Sequence, residues 1–434
     1  MDSIEQLYQL FRQYPNIVTD SRKVAPGCLF FALKGERFNG NQFAAKAIEE
    51  GAAYAIVDEP VDSENVILVD DVLATLQKLA THHRRQFKIP VLAITGSNGK
   101  TTTKELVSTV LASHYPTHFT KGNLNNHIGV PLSLLAMPDK TEIAIIEMGA
   151  NHPGEIDFLC RIAEPTHGLI TNVGKAHLEG FGSFEGVKQT KSELYRYLAN
   201  HNGLVFINMD EPYLPELAEN NRLKLFYKKS DLPNPATVPF EVKLVAEEHF
   251  VEVDFLDENG QMTTAKSQLI GRYNFNNIMT AVVIGKYFKV PASKIVTAIE
   301  NYMPTNNRSQ LKLIGSNAFI LDAYNANPTS MKMAIESFSR TPAKTKIAIL
   351  GAMKELGEYS EEEHLAVAKL AAASGFQKIV LVGEEFRESS LATNVLFFEN
   401  TAQLKEWFRG AAFENAHFLV KGSRSIGLEA FLEA

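Results

Sequence analysis

The segment VLAITGSNGKTTTKELVSTVLA, residues 91–112, permits few folds. An apolar, β-branched run enters a glycine turn, and the turn opens directly into a run of helix formers. Strand, tight loop and helix in immediate succession define an α/β unit. Such a loop can cradle phosphate, because its backbone N–H groups and the positive end of the helix converge on one point. The pattern G-x-x-x-x-G-K-[ST] is not met, since Ile94 stands at its first glycine and Gly96 lies inside the loop. The context still makes Thr95, Gly96, Ser97, Asn98, Gly99, Lys100, Thr101 and Thr102 candidate nucleotide contacts. Lys100 supplies a point charge and Thr101 a hydroxyl for Mg2+. The plain alternative is a helix N-terminus that happens to contain G-K-T.

The rest of the chain has the rhythm of a multidomain α/β protein. Its 434 residues exceed what one core serves, and at about 150 residues per domain they suggest about three domains. Between residues 28 and 90, the runs CLFFAL, YAIVD and VILVD alternate with the helix-like NQFAAKAIEEGA and DVLATLQKLATHHRRQF. IAIIEMG, HGLITNVG and GLVFINMD continue the central series as buried strands. Residues 231–270 alternate polar with apolar, which predicts antiparallel strands at the domain edge, turning at Glu258-Asn259-Gly260 and covering the central sheet. A third series follows in AFILDAYNANP, KIAILGAMKELG, KIVLVGEEF and AHFLVKGSRS. The expected fold class is α/β in three domains. A small α/β N-terminal domain spans 1–88, a central P-loop domain with a doubly wound, mostly parallel sheet spans 89–309, and a Rossmann-like C-terminal domain spans 310–434.

Composition narrows the partners. A net charge of -7 argues against a nucleic-acid surface, which needs a basic patch. No stretch approaches the ~20 apolar residues of a membrane helix. The start, MDSIEQLYQLFRQYPN, lacks the basic-then-apolar order of a secretory signal, so a cytoplasmic protein without membrane insertion is expected. Cys28 and Cys160 are too few for a disulfide framework and read as small buried hydrophobes. Small molecules are the expected ligands.

A phosphate-bound Mg2+ needs a carboxylate at the end of a neighbouring strand, and Glu147 closes the run IAIIE. His177 follows another strand in NVGKAHLEGFG, and Lys191 lies on the helix of GVKQTKSELY. Taken singly, these three read equally as a solvated strand end, a hydrogen-bonded loop histidine and a surface-helix lysine.

TGSNGKT, EMGANHPGEI, NVGKAHLEGFGSFEGV, KSELY, GRYNFNN, NNRS, LDAYNANPTS and KGSRS occur in the order found in the Mur ligase family, which the whole chain resembles. In that family's shorter loop form, T-G-x-x-G-K-T, Ile94 is simply the end of the strand. DAYNANP, GAMKELGE and DSRKVAPGCLFFALKGERFNG are most similar to the members that add D-alanyl-D-alanine. The D-Y-A-H-T-P and D-N-P-R motifs of members adding the preceding amino acid are absent. The resemblance implies an ATP-dependent ligase that joins D-Ala-D-Ala to UDP-N-acetylmuramoyl-tripeptide through an acyl phosphate, within one monomeric chain. The alternatives are a related ligase with another amino-acid donor and a P-loop switch that ligates nothing. The Glu147, His177 and Lys191 set speaks against the switch.

The same resemblance assigns roles. Lys100 and Thr101 serve the phosphates and a first Mg2+, Glu147 and His177 hold a second, and Lys191 is carbamylated by CO2 to become an anionic supporting group. Asn274 and Asn277, one helical turn apart, suit the adenine edge; Asn274 as a plain N-cap is the alternative. Arg308, at the join to the last domain, and Asp322 would contact phosphate and ribose from the other side, and closure of the last domain would exclude water. Ser21, Arg22, Gly35 and Arg37 are candidates for the UDP moiety, and Asn123, Asn125 and Asn126 for the substrate channel. Tyr324, Asn325 and Asn327, with Lys421 and Arg424, are candidates for the dipeptide. One departure stands out: Ala352 in GAMKELG replaces the acid of G-D-M-x-E-L-G, so no acid role is assigned there.

Overall fold

Unbroken apolar runs become strands covered on both faces, as parallel sheets require; Val91–Thr95 and Ile143–Glu147 are buried at every residue. The computed structural model of the chain describes residues 3–232, 240–304, 307–389 and 394–432. Residues 233–239, within the segment expected to form edge strands, and Asn306 of the N-N-R-S motif lie outside them.

The first unit is a parallel sheet in the order Ile17–Val18, Leu29–Phe31, Tyr54–Val57, Val66–Leu68. Its helix Val72–Arg85 begins at Asp71, whose side chain accepts from Ala74 N at 2.8 Å. One side of this helix packs on the amphipathic helix Ile4–Gln13, which the sequence reading does not anticipate. The other side meets the central unit. There the buried Arg84 donates to the carbonyls of Ala163 at 3.0 Å and Glu164 at 3.1 Å, satisfying the end of helix Glu155–Ala163.

The central sheet runs Met262–Lys266, Glu252–Leu256, Phe240–Ala246, Leu223–Lys229, Leu204–Asn208, His167–Ile170, Val91–Thr95, Ile143–Glu147, Thr117–Phe119. From Phe240–Ala246 onward every pairing is parallel. The strands of the alternating segment are antiparallel to one another, and Gly260 turns between two of them at φ 77. They do not cover the central sheet as expected. Phe240–Ala246 pairs edge to edge with Leu223–Lys229 and extends it, because that edge offers unpaired backbone groups. Covering falls instead to helix Asn274–Tyr287, which is apolar around most of its circumference and shares one core with Val253, Phe255 and Ala265.

The third sheet runs Gln310–Ile314, Asn317–Asp322, Ala416–Lys421, Thr345–Gly351, Lys378–Val382, Val395–Phe398, and is antiparallel only at its first edge. Cys28 and Cys160 are buried and unpaired. Among the described residues no helix is long and apolar enough to cross a membrane. The carboxyl ends of the central and third sheets meet in one crevice, where open α/β sheets take ligands.

Candidate active site

The phosphate loop leaves strand Val91–Thr95 and enters helix Lys100–Ala112 through two glycines at which a side chain would be strained. Gly96 has φ 141, and a Cβ there would lie 2.0 Å from Thr171 Oγ1; Gly99 has φ 77, and its Cβ would meet Asn277 Oδ1 at 2.6 Å. Thr95 is buried, its hydroxyl donating to Met148 O at 2.8 Å. Ser97 Oγ donates to Gly174 O at 3.0 Å, and Asn98 N to Asn172 Oδ1 at 3.0 Å. Lys100 curls back over the loop, its Nζ 2.7 Å from Gly96 O and 3.3 Å from Ser97 O. Burial depresses its pKa, while Glu147 opposes that shift.

Glu147 is 1% exposed at the end of Ile143–Glu147, on the strand beside the loop's own. Its Oε1 accepts from Thr101 Oγ1 at 3.2 Å and Asn125 Nδ2 at 2.8 Å. Its Oε2 is buried with no hydrogen-bond partner and stands 3.6 Å from Lys104 Nζ. Asn98 Nδ2 is likewise buried without an acceptor. The crevice thus holds an acceptor and a donor without hydrogen-bond partners among the described residues, and His177 Nδ1 likewise makes no hydrogen bond; each is costly unless a partner satisfies it.

His177 sits at the head of helix Leu178–Phe181, and its Nδ1 contacts Glu355 of the third unit. Lys191 is no surface lysine: on helix Phe184–Asn200 it is 1% exposed, with Nζ 5.2 Å from the centre of the Phe181 ring. Burial pushes its pKa well down, and Lys100 adds to the effect.

Asn274 is not an N-cap; that position belongs to Tyr273. Asn277 Nδ2 donates to Asn274 Oδ1 at 2.8 Å, and Asn274 Nδ2 to Ile270 O at 2.8 Å, so the two amides form one chain. From the third unit, Arg308 lies 3.7 Å over the Tyr324 ring. Lys421 Nζ donates to Asp322 Oδ2 at 2.6 Å and to Asn325 O at 3.3 Å. Asn327 caps helix Pro328–Ser339 and donates through Nδ2 to Asn98 Oδ1 at 2.8 Å.

These side chains line a cavity of about 560 Å³ that gathers Ser97 to Thr102, Asn123, Asn125, Asn126, Glu147, His177, Asn274, Asn277, Arg308, Asp322, Tyr324, Asn325, Asn327 and Lys421. Asn126 Oδ1 also accepts from Gly129 N at 2.8 Å at the start of helix Gly129–Leu135. Thr95, Gly96 and Lys191 lie behind the lining, and Arg424 turns away to Glu429. The first-unit candidates do not line this cavity. Ser21 and Arg22 sit in a short 3-10 turn where Arg22 pairs with Asp20 at 2.8 Å, and Gly35 and Arg37 belong to the hairpin joining Lys34–Gly35 to Phe38–Asn39.

Sequence reading missed Lys104, Glu211 and Glu355. Lys104 follows Lys100 by one helical turn, a signal that helix periodicity carries. Glu211 lines the crevice just past strand Leu204–Asn208. Glu355 lies in the segment where Ala352 drew attention to a missing acid; Ala352 itself is fully buried beneath Gly383.

Three family profiles match the chain in order: "Mur ligase family, catalytic domain" over residues 13–87, "Mur ligase middle domain" over 94–285, and "Mur ligase, glutamate ligase domain" over 307–424. The UDP-N-acetylmuramoyl-tripeptide--D-alanyl-D-alanine ligase of Bacillus subtilis is 36% identical over 382 residues, which is 85% of this chain and 80% of the relative. A crystal structure of MurF from Acinetobacter baumannii superposes with a TM-score of 0.88 at 30% identity, covering 99% of this chain and 97% of that one. MurF ligase from Thermotoga maritima, solved in complex with ADP, gives a TM-score of 0.84 at 28% identity over 97% of each chain.

Proposed function

The chain belongs to the Mur ligase family, and from that premise we propose its reaction and the residues that carry it. It is an ATP-dependent ligase that joins D-alanyl-D-alanine to UDP-N-acetylmuramoyl-tripeptide, giving the UDP-linked pentapeptide for peptidoglycan synthesis. A carboxylate is a poor electrophile, so the tripeptide's terminal carboxylate oxygen first attacks the γ-phosphorus of ATP and ADP departs. The neutral amine of the dipeptide then attacks the acyl carbon, the C–O bond to phosphate breaks, and the phosphate leaves with the electron pair. The amine's surplus proton goes to phosphate or water.

Transfer between anions is chiefly a matter of position and charge. Lys100 and the loop N–H groups hold the phosphates; Arg308 and Asp322 grip phosphate and ribose from the third unit, and Asn274 and Asn277 read the base. Thr101, Glu147, His177 and a carbamylated Lys191 would hold Mg2+, which when bound neutralises charge on the transferred phosphoryl group. The residues fit these groups. Glu147 Oε2 has the Lys104 ammonium 3.6 Å away but no hydrogen bond, leaving it free to take a closer ligand, and a buried lysine with a depressed pKa presents the neutral amine that CO2 requires. Tyr324, Asn325, Asn327 and Lys421 take the dipeptide, while Arg424, paired with Glu429, would have to turn to join them; Asn123, Asn125 and Asn126 line the channel, and Ser21, Arg22, Gly35 and Arg37 hold the UDP. One chain supplies the whole crevice, so a cytoplasmic monomer suffices.

The observation that most supports this reading is the pair of orphaned atoms, Asn98 Nδ2 and Glu147 Oε2, beside Lys100 and Thr101. The first can be satisfied by an acceptor such as a phosphate oxygen, the second by a donor or a bound cation. The test supplies ATP, Mg2+, the UDP-muramoyl tripeptide and D-Ala-D-Ala, and follows phosphate and pentapeptide. Both should appear in step. Phosphate release that ignores the dipeptide would favour a nucleotide switch, and equal turnover with a single amino acid would favour another ligase.

A further inference from the structure

His177 occupies a left-handed conformation with φ 52, its ring edge-on to Phe181. Facing it, Glu355 of the third unit is also left-handed, with φ 63. Neither is glycine, so surrounding structure must hold each in place. For Glu355 the restraints are visible in its loop. Ala352 N donates to Val382 O at 2.8 Å, Met353 N to His364 Nε2 at 2.9 Å, and Lys354 N to Ser423 Oγ at 3.1 Å. His364 can accept there because its Nδ1 faces Ser360 O at 2.6 Å and carries the proton. On the far side, Glu179 N donates to Glu355 O at 3.2 Å, tying the loop to the helix that His177 begins. The carboxylate therefore arrives at His177 Nδ1 on a rigid support. Buried Nδ1 makes no hydrogen bond besides this ion-pair contact, so a proton on Nδ1 has only the Glu355 carboxylate to satisfy it, which leaves Nε2 with the lone pair.

We propose that Glu355 is a positioning residue for the ligase reaction: seating of the third unit brings its carboxylate to His177 Nδ1, fixing the tautomer and ring direction. The cation site that uses His177 is then complete only when the third unit is seated. This rests on the reading that His177 holds a cation. Other contacts at the same border offer a control. Lys175 Nζ meets Glu363 Oε1 at 2.5 Å and Lys175 N meets Thr329 Oγ1 at 2.9 Å, holding the units together without touching the imidazole.

Mn2+ is the probe, titrated by electron paramagnetic resonance into the full chain with a non-hydrolysable ATP analogue. The variants are Glu355→Gly, Glu355→Gln, His177→Ala and Lys175→Met. Glycine removes the carboxylate while easing the left-handed backbone, so strain cannot explain a loss. Glu355→Gly should weaken the weaker Mn2+ site by about 10- to 100-fold. Glu355→Gln, whose amide oxygen still accepts from Nδ1–H, should recover most of that, and Lys175→Met should leave the site unchanged. In 15N spectra, His177 should pass from one tautomer to a mixture in Glu355→Gly alone among the Glu355 and Lys175 variants. Unaltered Mn2+ affinity in Glu355→Gly, with the site lost in His177→Ala, overturns the positioning role and spares the cation reading. An equal loss in Lys175→Met reduces the effect to closure and also overturns it. Retention of both ions in His177→Ala overturns the cation reading, and the proposal with it.

Discussion

Replacing Glu211 with glutamine should stabilise the ligand-free protein at alkaline pH and change little at acid pH. Glu211 lines the crevice, and its Oε1 accepts from Asn276 Nδ2 at 3.3 Å. Burial lifts its pKa from 4.5 to about 7, with the charge of Asp210 adding to the lift and Asn276 opposing it. A raised carboxyl pKa means that between those values the native chain keeps a proton the unfolded chain has released. Stability therefore falls as pH rises through that window. At about 1.4 kcal/mol per decade of proton affinity, the displacement amounts to about 3 kcal/mol, present in full above the folded pKa. Glutamine keeps the shape and cannot ionise. Urea unfolding of wild type and Glu211→Gln should therefore differ by less than about 1 kcal/mol near pH 5 and by about 2–3 kcal/mol, in the variant's favour, near pH 8.5. A gap that is constant with pH would refute the buried-carboxylate reasoning, and one that opens toward acid would reverse its sign.

Two substitutions probe the crevice from other directions. Gly96→Ala places a Cβ 2.0 Å from Thr171 Oγ1 and 2.9 Å from Thr171 N at a left-handed position, so it should lower stability by about 2–4 kcal/mol and abolish thermal protection by ATP. Undiminished protection in a melting scan with ATP would contradict the loop geometry. Lys191→Met removes an amine whose charged form is disfavoured by burial, and should raise stability by about 1–3 kcal/mol while eliminating turnover and any 13C-carbamate signal from labelled bicarbonate. A variant that loses stability and keeps turnover would count against both the burial argument and the carbamate.

The sequence spoke clearly where chemistry is local. Strand Val91–Thr95, the loop and helix Lys100–Ala112 are contiguous, and Glu147 ends an apolar run, so both could be found without knowing what packs against what. Helical spacing put Asn274 and Asn277 on one face, and they are bonded to each other. Tertiary facts were out of reach. Alternation in residues 231–270 predicts strands, but only the free edge of Leu223–Lys229 decides that those at 240–266 extend the sheet. Nothing near Lys191 in the chain announces that it is buried against Phe181. Glu355 meets His177 across a border between units, and its own neighbourhood, GAMKELG, carries no sign of that partner.

Asn327 serves two masters: its Oδ1 accepts from Ser330 N at 2.9 Å at the head of its own helix, while its Nδ2 reaches Asn98 in the phosphate loop at 2.8 Å. An amide shared in this way makes the tip of one unit a part of the other's grip. Lifting the third unit must break this hydrogen bond, so opening the crevice also frees the side chain of a phosphate-loop residue.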